Sequence, residues 1–151
     1  MKSNFTGWIE KDGDMQYVHI PGSIVEELKA SKIKRVQVWF NEKGPFHRAL
    51  NSKNGQGFLY ISGATLKQID AFPFEEIPVV IQSDETKYQA PEPKEWIELI
   101  EADDEIGHGF HQLSIGKQRS ILFAIDRMKS EDARIRKAVA FANDIRLGKL
   151  S

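Results

Sequence analysis

The sequence predicts an α+β fold: a small duplicated (β-β-α-β)×2 barrel over residues 1–83, then a linker at 84–93, then an α-helical hairpin within 94–151. Three observations predict it. The segment YVHIPGSIVEELKASKIKRVQVWF at 17–40 recurs 41 residues later as FLYISGATLKQIDAFPFEEIPVVI at 58–81. A polar stretch with two prolines, DETKYQAPEP, follows the second copy. Beyond it the apolar spacing changes from the period of a strand to that of a helix.

The repeat holds in register. Val18 falls on Leu59, Ile20 on Ile61, Gly22 on Gly63, Val25 on Leu66 and Leu28 on Ile69. After the helix Val36 falls on Ile77, Val38 on Val79 and Phe40 on Ile81. One such unit is too small to bury both faces of its strands. Two units about a pseudo-twofold axis can close on each other and remove most free edges.

In chain order, residues 5–9 predict a first strand, and Asp12-Gly13 supplies a tight turn. Residues 15–20 alternate Tyr17 and His19 against Val18 and Ile20, the pattern of a half-buried strand. Pro21-Gly22 ends it, and Ser23 is the expected N-cap of a short helix to about residue 30, with Ile24, Val25 and Leu28 inward. Residues 35–40 are β-branched and aromatic, so they predict a strand. Residues 41–45 turn the chain. The second copy then runs as a strand at 46–50, a Gly-rich turn at 51–57, a strand at 58–61, a helix at 63–70 and a strand at 77–83. Pro78 lacks an N–H, so it is expected at an edge or a bulge.

Residues 94–103 predict a short acidic helix with Trp96, Ile97 and Ile100 inward. Ser114 caps a helix over 115–128 carrying Ile121, Leu122, Ile125 and Met128 on its buried side. Ser130 caps the last helix, whose expected stripe is Ile135, Ala138, Val139, Ala142 and Ile145. Gly148 ends it.

The chain has 151 residues, no cysteine and a net charge of −1. Absence of cysteine excludes disulfides, thiolate catalysis and cysteine-ligated zinc. No apolar run is long enough for a membrane span, and the opening MKSNFTGWIEKDGD lacks the apolar core of a signal peptide. A cytoplasmic protein is expected. Charge is uneven: residues 1–112 hold 12 Lys+Arg against 18 Asp+Glu, and residues 113–151 hold 9 against 4. An acidic body with a basic end points either to pairing within the chain or to an acidic partner for the tail.

The C-terminal sequence LSIGKQRSILFAIDRMKSEDARIRKAVAFANDIRLGKL resembles the YdeI/OmpD-associated family, also labelled bacteriocin-protection proteins. Ser114 matches the family's helix cap, Lys129 its lysine, Asp132 its acid, Arg134 its arginine, Arg136 and Lys137 its basic pair, and Gly148-Lys149 its end. Ala133 stands where the family has Thr, and Met128 where it has Ala. The front part, with IPGSIVEEL and PFHRALNSKNGQGFLYIS, looks like a small β-barrel domain of unknown function that often precedes this tail. That domain resembles the double-split barrels, which include dimeric DNA-binding regulators of the AbrB/MazE type. The resemblance implies protection against bacteriocins or cationic peptides and brings no established chemistry.

Candidate binding residues are His47, Arg48, Arg134, Arg136 and Lys137. His47 and Arg48 follow Phe46, and their equivalents in the first copy are Thr6 and Gly7. A duplicated scaffold keeps its packing residues in both copies and is free to specialise exposed positions of one, so Arg48 is a candidate clamp for a carboxylate or phosphate. The plainer reading is ordinary strand polarity. Arg134, Arg136 and Lys137 lie near Phe141 on the last helix and suit an acidic partner; the plainer reading pairs them with the chain's own acidic 92–105. His108 and His111 stand three apart in GHGFH, a spacing compatible with metal ligation. Gly107 and Gly109 argue against a helix there, and no third ligand is marked, so neither a metal nor a cofactor is expected. No nucleophile elbow, phosphate loop or metalloprotease motif is present, so the enzyme reading has no positive support.

The expected function is therefore non-catalytic binding or protection through a protein or peptide partner. A nucleic-acid-binding regulator is the alternative by fold analogy, and the acidic balance of residues 1–112 opposes it. A small-molecule binder or enzyme using the cleft between the barrel halves, with His47 and Arg48, is the third reading.

Overall fold

Each copy of the repeat leaves its first strand without a partner of its own, and the fold is built on exchanging those strands. In the computed structural model, which describes residues 2–150, the chain divides into two compact units, one ending at Glu85 and one starting at Thr86. The first contains β1 (Lys2–Trp8), β2 (Glu10–Asp12), β3 (Met15–Ile20), α1 (Gly22–Ala30), β4 (Arg35–Phe40), β5 (Lys43–Ala49), β6 (Asn51–Lys53), β7 (Gln56–Tyr60), α2 (Gly63–Gln68) and β8 (Glu76–Ser83). Shifting β1, β2 and β4 by 41 residues places them on β5, β6 and the start of β8. The fold class is α+β, with two four-stranded antiparallel sheets and six helices among the described residues.

Sheet one has the order β1-β8-β4-β5, and sheet two the order β2-β3-β7-β6. Both orders read the same when the copies are exchanged. β1 of the first copy pairs with β8 of the second, as Phe5 does opposite Val79. β5 of the second pairs with β4 of the first, as Phe46 does opposite Val38. The centres join the copies as well: Val38 lies opposite Ile81 in sheet one, and Val18 opposite Leu59 in sheet two.

The two sheets face each other over one core. Ile9, Val18, Val36, Val38, Phe40, Leu59, Ile69 and Val79 are wholly buried there. The barrel expected from the repeat is not closed. The chain crosses from sheet one to sheet two at Ile9, between β1 and β2, and again at Leu50, between β5 and β6. At each crossing one residue falls between the strands: Ile9 is buried and Leu50 packs against the core, while Ile9 bonds through its backbone to Phe74 and Glu75, and Leu50 to Lys34.

Local departures from expectation have physical causes. Ser23 lies inside α1; the cap is Pro21, whose carbonyl accepts from the N–H groups of Ile24 and Val25 at 3.0 and 3.1 Å. A proline already holds the φ a helix start needs. The equivalent Ser62 does cap α2, its Oγ accepting from Thr65 N at 3.1 Å. The expected turn at 51–57 contains β6 and the first residues of β7, with the turn confined to Asn54-Gly55, both at positive φ. Pro78 is in a central strand rather than at an edge or bulge. Its carbonyl accepts from Asn41 N, and the β4 ladder ends one residue earlier at Phe40 opposite Val79. Because N–H and C=O of an extended residue point the same way, the missing donor falls where the partner strand has turned away. That turn, Asn41-Glu42, has φ of 53° and 68°, the primed geometry of a two-residue hairpin.

The second unit holds four helices, α3 (Lys94–Ala102), α4 (Asp104–Gln112), α5 (Ile115–Asp126) and α6 (Glu131–Arg146), where a short helix at 94–103 followed by a two-helix hairpin was expected; α4 is the addition. α4 runs through Gly107 and Gly109 despite their propensity cost of about 1 kcal/mol each. Packing requires both. A Cβ on Gly107 would stand 2.5 Å from the Ile100 carbonyl oxygen, and one on Gly109 2.4 Å from Ile145 Cγ2. Asp103 caps this helix by accepting from Ile106 N. Trp96, Ile106, Phe110, Leu122 and Ile125 are wholly buried in the core of this unit. Tyr88 and Ala90, from the stretch expected to be a linker, are buried in the same core. α6 fully buries Ala138 and Ala142, packs Ile145 partly buried against the core, and leaves Ile135 and Val139 exposed, so only part of its expected stripe faces inward.

Strand exchange makes one copy insufficient by itself. A fragment ending at residue 42 lacks the partner of β1, the central partner of β3 and both partners of β4. It is expected to be unfolded or to dimerise; a folded monomer in analytical ultracentrifugation and circular dichroism would contradict the pairing.

Candidate functional site

Two groups of polar and aromatic side chains stand out in the first unit, one on each sheet. On sheet one, His47 Nδ1 lies 2.6 Å from Asp84 Oδ2, and the Asp84 side chain is fully buried. Asp84 follows β8 directly, and its N–H is donated to the Arg35 carbonyl at 3.1 Å, which fixes the carboxylate beside β5. Nδ1–H donation to a carboxylate sets the tautomer and orientation of the ring. Gln37, the ladder partner of His47, accepts from Gln82 Nε2 at 3.0 Å.

Arg48 acts as a brace through all three of its nitrogens. Its Nε donates to the Tyr60 carbonyl, Nη1 to the His47 carbonyl at 2.9 Å, and Nη2 to Thr65 Oγ1 at 2.9 Å. Thr65 Oγ1 is 3.0 Å from Ser62 Oγ, so the brace reaches the capped start of α2. Burial, and secondarily the charge of Arg35, pulls the Arg48 guanidinium below its ordinary pKa. In the first copy the equivalent Gly7 leaves room that Val18 and Val79 fill; a Cβ there would lie 3.2 to 3.4 Å from them. The divergence between copies is thus an exchange of apolar packing for a hydrogen-bonded brace, and the brace holds the end of β7.

The second group is the outer face of sheet two. Val18, Ile20, Gly57 and Leu59 point inward, so Tyr17, His19, Phe58 and Tyr60 must point out. Tyr17 lies opposite Tyr60, and His19 opposite Phe58. Their rings meet edge to face, with centroids 5.3 Å apart for Tyr17–His19, 5.7 Å for Tyr17–Phe58 and 5.1 Å for Phe58–Tyr60. The copies supply equivalent positions: Tyr17 maps on Phe58 and His19 on Tyr60. A groove of about 310 Å³ runs over these rings and is lined also by Asp12, Met15, Lys53 and Gln56. Most of its lining residues are equivalent pairs from the two copies: Asp12 and Lys53, Met15 and Gln56, Tyr17 and Phe58, His19 and Tyr60. Asp12 and Lys53 are equivalent positions carrying opposite charge, so the groove has an acidic and a basic end. Four outward rings on two adjacent strands thus form one continuous cluster on solvent-facing positions. Phe72 and Phe74, which flank Pro73, are also exposed, but no ring contact organises them into a concave surface.

This face was not among the residues the sequence singled out. The signal was present in the alternation at 17–19 and 58–60, where aromatic side chains take the polar positions of both strands. The tail residues have separate fates. Arg134 Nε pairs with Glu95 Oε1 at 2.7 Å, and its Nη1 donates to the Met128 carbonyl. Arg146 pairs with Asp103 at 3.0 Å. Both bonds join the basic end to the chain's own acidic segment. Arg136 and Lys137 are exposed, the latter with its ammonium 5.4 Å from the Phe141 ring centroid. His111 donates or accepts at two sites, with Nε2 2.9 Å from Tyr88 Oη and Nδ1 2.8 Å from the Gly107 carbonyl. A carbonyl only accepts, so Nδ1 carries the proton and Nε2 accepts from the tyrosine.

No protein-family profile matches the chain, and no curated protein matches it either. No helix among the described residues is long and apolar enough to cross a membrane.

Two substitutions separate structural from exposed cations. Arg48→Met removes the donors to the carbonyls of His47 and Tyr60 and leaves the Thr65 hydroxyl only its bond with Ser62, and is expected to cost about 2–3 kcal/mol in urea unfolding. Arg134→Ala leaves the carboxylate of Glu95, only 5% exposed, without its partner, and is expected to cost about 3 kcal/mol. Arg136→Ala and Lys137→Ala should change stability by less than about 0.5 kcal/mol.

Proposed function

We propose that the chain is a non-catalytic binding protein that acts through protein or peptide contacts, with the outer aromatic face of sheet two as its contact surface. One observation carries the reading: Tyr17, His19, Phe58 and Tyr60 form a continuous ring cluster on solvent-facing strand positions over a groove. Aromatic side chains supply large contact area at low entropic cost and dominate contact energetics. Arg48, the cation expected to clamp a small anion, has each of its three nitrogens engaged within the fold.

The interleaving of the two copies supports kinship of the first unit with the double-split barrels, and the tail motif supports the YdeI/OmpD-associated relationship. The protective role against bacteriocins or cationic peptides follows from that relationship. The nucleic-acid alternative is weakened by Glu10 and Asp12, which share the face with the rings, since phosphates need a basic surface.

A strain lacking the gene tests the proposal. Complementation with the natural chain is expected to restore its response to a panel of bacteriocins and cationic peptides. A folded Tyr17→Ser/Tyr60→Ser double variant is expected not to. An identical response in all strains would remove the protective role.

A further inference from the structure

We propose that the groove on sheet two takes an extended, proline-rich peptide segment with a basic residue toward one end and an acidic residue toward the other. This rests on the aromatic face being the binding surface, and it names the ligand.

The sheet's own hydrogen bonds decide how a ligand can lie. β3 and β7 form the centre of sheet two and have ladder partners on both sides. The edges, β2 and β6, are three residues each, too short to template an added strand. A ligand therefore lies across the face, where no backbone donor or acceptor meets it. An ordinary extended peptide would leave its N–H groups poorly satisfied there. Proline has none, and a polyproline II segment is already extended before binding, so little ordering entropy is lost. The edge-to-face rings of Tyr17, His19, Phe58 and Tyr60 offer alternating faces and edges against which flat pyrrolidine rings pack.

Dimensions and charge restrict the ligand further. Asp12 is opposite Met15, and Lys53 is opposite Gln56, which puts them at diagonal corners of the sheet. On an untwisted sheet the corners are about 20 Å apart along the strands and about 14 Å across them, or about 25 Å on the diagonal. A polyproline II segment of about eight residues spans that distance. Asp12, with Glu10 on the same face, suits a cationic end; Lys53, with Asn51 on its strand, suits an anionic one. A second copy of the chain fits less well. The face offers about 400 Å² per copy, so two copies would bury about 800 Å² in all, below the roughly 1,200 Å² of a stable interface.

The test is a titration of the isotope-labelled full chain, followed by amide chemical shifts, with the peptide Lys-Pro-Pro-Pro-Leu-Pro-Pro-Pro-Glu. Saturable shifts centred on Tyr17, His19, Phe58 and Tyr60 are expected. Asp12→Lys or Lys53→Asp alone should weaken binding about fivefold. The double exchange should recover most of it, because the pseudo-twofold axis carries one corner onto the other. Circular dichroism and melting curves establish that each variant is folded. Equal binding of a peptide with alanine in place of proline would overturn the ligand assignment. So would shifts at this face with a single-stranded oligothymidylate but not with the peptide, and that result would leave the face itself as a binding surface. If neither probe shifts the face, the proposal and the choice of this face fall together.

Discussion

Backbone pairing between the two copies is the constraint on which the first unit depends. Strands β1 and β5 each find a partner only in the opposite copy, and so does every central ladder. Buried N–H and C=O groups left unpaired cost more than most side-chain contacts gain. Neither copy can therefore be optimised alone. Most inward positions carry matching apolar residues in both copies because each packs against its counterpart's strands.

That coupling still leaves room for the copies to differ. Thr6, on the outer face, stands where the second copy has His47, and the buried Gly7 stands where it has Arg48, opposite the buried Val36. Arg48 ties the end of β7 to the start of α2, and so it supports the strand that presents Phe58 and Tyr60. Opposite charges at Asp12 and Lys53 give direction to a surface whose rings are nearly symmetric. A symmetric frame with asymmetric corners can hold a ligand in one orientation.

Much of the first unit was legible because its order is repeated. The 41-residue offset aligns strands, helices and turns, and one copy's boundaries check the other's. Barrel closure was not legible, because the one-residue breaks at Ile9 and Leu50 carry no pattern that distinguishes them from continuing strand. Pro78 misled, since its missing donor matters only on the side its neighbour has left. α4 was hidden by glycines whose cost is local and whose benefit, close approach to Ile100 and Ile145, is tertiary. The same holds for α6, whose periodicity marks five apolar residues while packing buries only the alanines fully. His47 and Arg48 stand out in the sequence because the copies differ there. The aromatic face does not, because alternation marks a half-buried strand in the same way whether its outward residues are polar or aromatic.

The pairing of β1 with β8 places Lys2 opposite Gln82, just as Phe40 lies opposite Lys43 across the Asn41-Glu42 turn. The first unit's two ends are thus neighbouring strand ends, in the same relation as the two residues that flank its central turn. Its topology is circular: the peptide bond that joins the copies and the gap that separates its ends are interchangeable positions on one closed path. Such a unit can be inserted into another chain, or cut at either hairpin, without rerouting any strand.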